Sequence, residues 1–162
     1  MNPNNRTVVS LPSDREILIT RVFAAPREWV FRAHTDPALI PLWWGPRSTT
    51  TIVDKLEVRP GGTYRFVHRT ADGREYVFRG EFREIVPSER LVQTSELEGA
   101  PGSVLETLTL EEHEGKTTLT VLDVCATKVD RDAILASGME EGLNESYDRL
   151  AALLAEQSAA AR

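Results

Sequence analysis

SGMEEGLNESYDRLAALLAE, residues 137–156, is the stretch on which the fold turns. Met139, Leu143, Tyr147, Leu150 and Leu154 recur at i+3/i+4 spacing, which draws one apolar stripe along a long helix. Ser137 and Glu140 have the S-x-x-E form of a capping box, in which serine and glutamate side chains satisfy the first free amides. A helix with a single apolar stripe needs a surface to lie on. The chain before it supplies a run of strands. TTIVDKLEV (50–58) ends at Pro60-Gly61-Gly62, and TYRFVHRT (63–70) and REYVFRGEF (74–82) flank the turn Ala71-Asp72-Gly73. ERLVQTSEL (89–97), SVLETLTLEE (103–112) and KTTLTVLDV (116–124) follow, with turns over 98–102 and at Glu114-Gly115. Connections this short make an antiparallel meander, because a parallel crossover needs about a dozen residues. Its concave face is the one large partner for the helix.

Upstream, EILITRVF (16–23) is rich in β-branched residues and reads as a strand. Pro26 opens a helix over REWVFRAH (27–34), and Asp36-Pro37 opens a second one carrying Leu39, Leu42 and Trp43, which Gly45-Pro46 stops. The pair Trp43-Trp44 therefore ends a helix–turn–helix that would seal one end of the sheet. Trp43 reads as core or cavity wall, and Trp44, pointing elsewhere, as the rim.

The bulk numbers fit one domain. The chain has 162 residues, 41% hydrophobic and 27% charged, which argues against global disorder. A net charge of −6 excludes general affinity for nucleic acid or an anionic membrane. Cys125 is the only cysteine, so neither an intrachain disulfide nor a cysteine-rich zinc site can form. The polar start lacks a signal-peptide pattern, and no apolar run reaches the roughly 20 residues of a membrane span. The expectation is a cytoplasmic protein without stable membrane insertion. Residues 1–14 read as a flexible arm, 15–157 as the domain and 158–162 as a frayed tail.

Three stretches carry a resemblance: REILITRVFAAPREWVFRAHTDPALIPLWWGP (15–46), PGGTYRFVHRTADGREYVFRGEFREIVPSERLVQT (60–94) and DRDAILASGMEEGLNESYDRLAALLAE (130–156). In this order they resemble the START-like (SRPBCC) helix-grip superfamily, in the branch named for activators of heat-shock protein 90 ATPase. The part they resemble is the C-terminal domain of those activators. The resemblance implies an α+β helix-grip fold, a six- to seven-stranded antiparallel sheet gripping the last helix around a hydrophobic cavity. Related proteins bind lipids, sterols or polyketides, cyclise polyketide intermediates, sequester toxic metabolites or stimulate a chaperone. Fold alone does not choose among these.

Strand parity says what faces the cavity. Tyr64, Phe66 and His68 share one face of their strand, and Tyr76, Phe78 and Phe82 share one face of the next. Aromatic stripes on strands are ordinary core, but aromatics with a few polar groups are also what lines small-molecule pockets. The expected ligand-binding residues are Trp43, Trp44, Tyr64, Phe66, His68, Tyr76, Phe78, Met139 and Leu143, with His68 as the main orienting polar group. The expected function is binding of a small hydrophobic molecule, with no cofactor.

A chaperone-regulator role is the second reading. A cyclase- or hydrolase-type enzyme is the third, and it needs His68, Glu106 or Asp54 to converge on one point. Glu106 shares parity with Val104, Leu108 and Leu110, so it either faces inward with a raised pKa or sits solvated near a strand end. Asp54 poses the same question beside Ile52 and Leu56. His34, His68 and His113 lack metal-ligand spacing, so no metal site is expected. No G-x-S-x-G occurs, and Gly61-Gly62 precedes a strand, so neither a serine nucleophile nor a phosphate loop is indicated. The oligomeric expectation is a monomer or weak homodimer.

Overall fold

The turn signals are honoured almost residue for residue in the computed structural model, which describes residues 6–160. Strands β1 (Val8–Ser10), β2 (Glu16–Phe23), β3 (Thr49–Leu56), β4 (Thr63–Thr70), β5 (Glu75–Val86), β6 (Arg90–Leu97), β7 (Val104–His113) and β8 (Lys116–Cys125) form one antiparallel sheet. The helices are α1 (Arg27–Thr35), α2 (Ile40–Trp43), α3 (Lys128–Ala136) and α4 (Met139–Ala160). The strand order is β1-β2-β8-β7-β6-β5-β4-β3: the meander runs in sequence, and β2 closes back on β8 along its whole length. Glu114 and Gly115, at φ 51° and 76°, make the β7–β8 connection a two-residue turn whose backbone matches strand twist.

Eight strands stand where six or seven were expected, because Val8–Ser10, inside the presumed arm, pairs with Leu18–Thr20 as β1. Thr7 is buried beside it and accepts a hydrogen bond from Arg21 Nη1 at 3.1 Å. At the other end α4 runs to Ala160, past the expected start of the tail; residues 161 and 162 lie outside the described part.

The apolar stripe of α4 lies on the sheet as its spacing requires. Tyr147, Leu150 and Leu154 are buried, while Met139 and Leu143 are half-buried against the same core. Alternation buries Ile17, Ile19 and Phe23 from β2 and Leu119, Val121 and Cys125 from β8 beneath it. Each such large side chain contributes about 1.5–3 kcal/mol. None of the described helices is long and apolar enough to cross a membrane.

Two local readings are corrected. Ser137 does not cap α4; its Oγ donates to Ile134 O at 2.6 Å and finishes α3, while Gly138 (φ 83°) turns the chain into α4. The α3 helix is an element that the sequence reading does not assign, although Thr127 and Asp130 announce it: Thr127 Oγ1 accepts from the Asp130 amide at 3.0 Å. The second correction is that α2 starts at Ile40 instead of at Pro37. Asp36 Oδ1 accepts from the Ala38 amide at 2.9 Å, which spends Asp36 on a turn.

Candidate functional site

The Trp43-Trp44-Gly45 turn divides the two tryptophans between different jobs. Trp43 is 3% exposed and donates from Nε1 to Ala33 O at 2.9 Å, satisfying a C-terminal carbonyl of α1. Its ring stacks on Tyr147 at 6.2 Å. Trp44 turns to the sheet, with its ring 5.2 Å from Phe66, 5.2 Å from Phe78 and 4.2 Å from His68. One turn of α4 holds this corner. The Gly45 amide donates to Ser146 Oγ at 2.8 Å, the Arg47 amide to Glu145 Oε1 at 2.7 Å, and Arg149 donates to Gly45 O at 2.7 Å and Leu42 O at 3.0 Å.

Gly45 is required here twice over. Its φ is 97°, and a Cβ would sit 2.8 Å from the His68 ring. Gly45→Ala is expected to cost about 2 kcal/mol in a urea melt, with near-ultraviolet dichroism of Trp44 altered. An unchanged midpoint would show that the corner relaxes freely.

His68 is 9% exposed, in the box formed by Trp44, Phe78 and Gly45, and its Nε2 has no hydrogen-bond partner among the described residues. Burial, assisted by the Arg149 charge, pushes its pKa down to about 4, so the ring is neutral near pH 7. His34 donates from Nδ1 to Val30 O at 2.7 Å on α1, and His113 stands at the exposed end of β7; the three histidines are not brought together.

The other expected residues separate. Tyr64 and Phe66 are buried in one aromatic run with Phe82, and Tyr64 Oη donates to Thr94 O at 2.7 Å. Phe78 is half-buried. Tyr76 lies opposite His68 but is 43% exposed, because it stands at the open hairpin end of β5. Asp54 is expelled by a bulge between Val53 and Lys55 and pairs with Arg65 at 3.0 Å on the surface, so it cannot join Glu106.

Glu106 does face inward, and it has a companion that sequence reasoning missed. Gln93, Glu106 and Asp123 stand in register across β6, β7 and β8, on the face covered by α4. Gln93 Nε2 donates to Glu106 Oε1 at 3.1 Å. Asp123 is 8% exposed, and its Oδ1 has no partner among the described residues. Burial, then the charge and hydrogen bond of Glu106, raise the Asp123 carboxyl well above the usual range. The Tyr64 and Tyr147 hydroxyls are pushed up by burial and then by Glu106, which puts both phenols near the row. The signal was parity: Leu119, Val121, Asp123 and Cys125 occupy one face of β8, so an acid sits at a core position.

Around this row the grip is incomplete. Phe78, Gln93, Ser95, Leu97, Val104 and Glu106 on the sheet are all half-buried, as are Ile134, Leu135, Met139 and Leu143 on α3 and α4. Two surface grooves lie elsewhere. One of about 400 Å³ lies between Trp29, Arg32 and Gln157. The other, about 550 Å³, is on the convex face among Arg65, Arg79, Glu96 and Glu98, whose charges pair with one another.

Residues 24–155 match the family described as Activator of Hsp90 ATPase homolog 1-like protein. Among solved structures, a Rhodobacter sphaeroides protein is 31% identical, with a TM-score of 0.89 over 93% of this chain and 99% of its own. A Chromobacterium violaceum protein is 30% identical, with a TM-score of 0.79 over 88% of this chain and 98% of its own. A Mycobacterium smegmatis protein is 25% identical, with a TM-score of 0.85 over 94% and 99%. Comparison with curated proteins gives no match. With the sheet, the gripped C-terminal helix and a family match over most of its length, the chain belongs to the Activator of Hsp90 ATPase homolog 1-like family.

Proposed function

We propose that this protein binds a small, largely apolar molecule on the half-covered concave face between β5–β7 and the start of α4. The observation that carries the reading is the composition of that face. Half-buried Phe78, Leu97, Val104, Met139 and Leu143 surround the polar row Gln93–Glu106–Asp123, with Trp44 and Phe66 behind Phe78. Apolar walls with few, convergent polar groups are how small-molecule sites combine affinity and orientation. Burial of ligand surface drives association at roughly 25 cal/mol per Å², less the costs of immobilisation. Relative to the expected list, Trp43 serves as packing, Tyr76 as rim, and Glu106 and Asp123 replace His68 as the orienting groups.

The test is a titration with fatty acids, sterols, flavonoids and aromatic polyketides, followed by tryptophan emission and amide shifts. Shifts should cluster at Trp44, Phe78, Val104, Glu106, Met139 and Leu143, and Phe78→Ala should weaken binding about tenfold. Saturable shifts confined to the convex groove, or silence throughout, would overturn the reading and leave a protein partner as the better one.

A further inference from the structure

The acid row is the one buried charge site in the described residues that is left without its counter-charge. Elsewhere acids facing other elements have a cation: Asp148 has Arg21 at 2.9 Å and Glu98 has Arg65 at 3.1 Å. Among the described residues Glu106 and Asp123 have each other and the Gln93 amide, and no cation. Like charges directly opposite on neighbouring strands repel, and burying a carboxylate without a partner costs more than packing an aliphatic there. Leu108 and Val121 show what the same strands carry one step along, where packing alone is served. Asp123 Oδ1, buried and without a hydrogen-bond partner among the described residues, is an acceptor that they leave unused.

Resting on the concave-face reading above, we propose that the Gln93–Glu106–Asp123 row recognises a protonated amine carried on an apolar skeleton. The ammonium N–H groups donate to Asp123 Oδ1 and to Glu106, and the skeleton lies toward Phe78, Leu97 and Met139. The nearby aromatic wall adds to the preference, since ring faces attract cations and repel anions. An anionic ligand such as a fatty-acid carboxylate would meet two acids and is disfavoured.

Protons balance in this binding. Burial and the neighbouring Glu106 hold the Asp123 carboxyl toward its protonated form, and arrival of R–NH3+ displaces that proton to solvent, leaving the Asp123 carboxylate ionised beside the ammonium. Affinity therefore rises with pH as the Asp123 carboxyl ionises in the free protein. The groups that face the pair do not compete for this titration. Tyr64 on β4 and Tyr147 on α4 stay protonated, and Arg21 on β2 is engaged by Asp148. Buried Cys125 on β8 stays a thiol, its pKa raised by burial and then Asp123; Asp130 and Arg131 of α3 act on it with opposite signs.

The experiment compares 4-phenylbutylamine with 4-phenyl-1-butanol, two probes of nearly the same shape, by calorimetry at pH 6 and pH 8. Two non-amine buffers of different ionisation enthalpy report proton release. The amine is expected to bind about tenfold tighter than the alcohol at pH 8, with release of a proton and weaker binding at pH 6. Asp123→Asn, which keeps the shape and removes the titrating group, should abolish the tenfold preference and the proton release. Glu106→Gln is the second variant, should the first not fold. If the alcohol binds the concave face as tightly as the amine, and Asp123→Asn changes neither, the amine proposal fails while the cavity reading stands. If neither probe shifts concave-face amides, both fail together.

Discussion

Trp43→Ala is expected to destabilise the protein by about 4 kcal/mol, the range for emptying a buried tryptophan site. Three losses combine. The indole leaves a cavity beneath Tyr147 and His34, since Trp43 is nearly fully buried between their rings. Ala33 O loses its donor at the C-terminal end of α1, where no intrahelical amide replaces it. The α2 turn loses the side chain that anchors it between α1 and α4. A thermal melt should fall by roughly 8–16 °C for a domain of this size. Trp44→Ala is the contrast, at about 1–2 kcal/mol, because its ring is only half-buried and its corner is held by Ser146 and Arg149 through the backbone. Equal losses for the two would mean that the neighbouring tryptophans share one job, against the division seen here.

How much of this was readable in advance differs element by element. The strands β2 and β4 and the stripe of α4 follow from period alone, because burial on one face dictates both. Parity also placed Phe66, His68 and Phe78 on the concave face correctly, and it placed Glu106 there as one of two alternatives. What parity does not carry is depth. Tyr76 shares the face of Phe78 yet stands in solvent, since the hairpin tip outruns the helix that would cover it. Nor does parity survive a bulge: one extra residue at Asp54 sends its carboxylate outward while Leu56 stays in step with Tyr64. Asp123 was legible by the alternation that marked Glu106, and so was its pairing with Glu106, because the two-residue turn at Glu114-Gly115 sets the register of β7 on β8; the sequence reading does not draw that inference. His68 was legible as an inward group but not as a packed, neutral one. That follows from Gly45 closing over it, 23 residues earlier in the chain.

Acid should weaken this protein before pH reaches the ordinary carboxylate range, because two histidines are held neutral by burial. The pKa of His68 is pushed down to about 4 and that of His34 to about 4, against an ordinary 6.5. The unfolded chain therefore takes up protons between pH 6.5 and 4 that the folded chain refuses, and stability falls as pH drops through that window. For His68, buried beside Trp44, the loss amounts to roughly 3 kcal/mol by pH 4. His34, pushed down by burial to the same value, adds a comparable amount. Asp123 works in the opposite direction. Its raised pKa means that the folded state takes up a proton first, so its contribution recovers as pH falls toward 4. The two signs can be separated by urea midpoints at pH 7, 6, 5 and 4.5. The wild type should lose stability steadily below pH 6.5. His68→Gln should flatten that slope by about half, whatever packing it loses at every pH, because the slope reads protons alone. Asp123→Asn should instead gain stability at pH 7 and keep a steeper descent into acid, having lost the group that offsets the histidines. A wild-type profile flat from pH 7 to 4.5, or an unchanged slope in His68→Gln, would mean that the ring beneath Gly45 reaches solvent and the Trp44 corner opens far more readily than its hydrogen bonds to α4 imply.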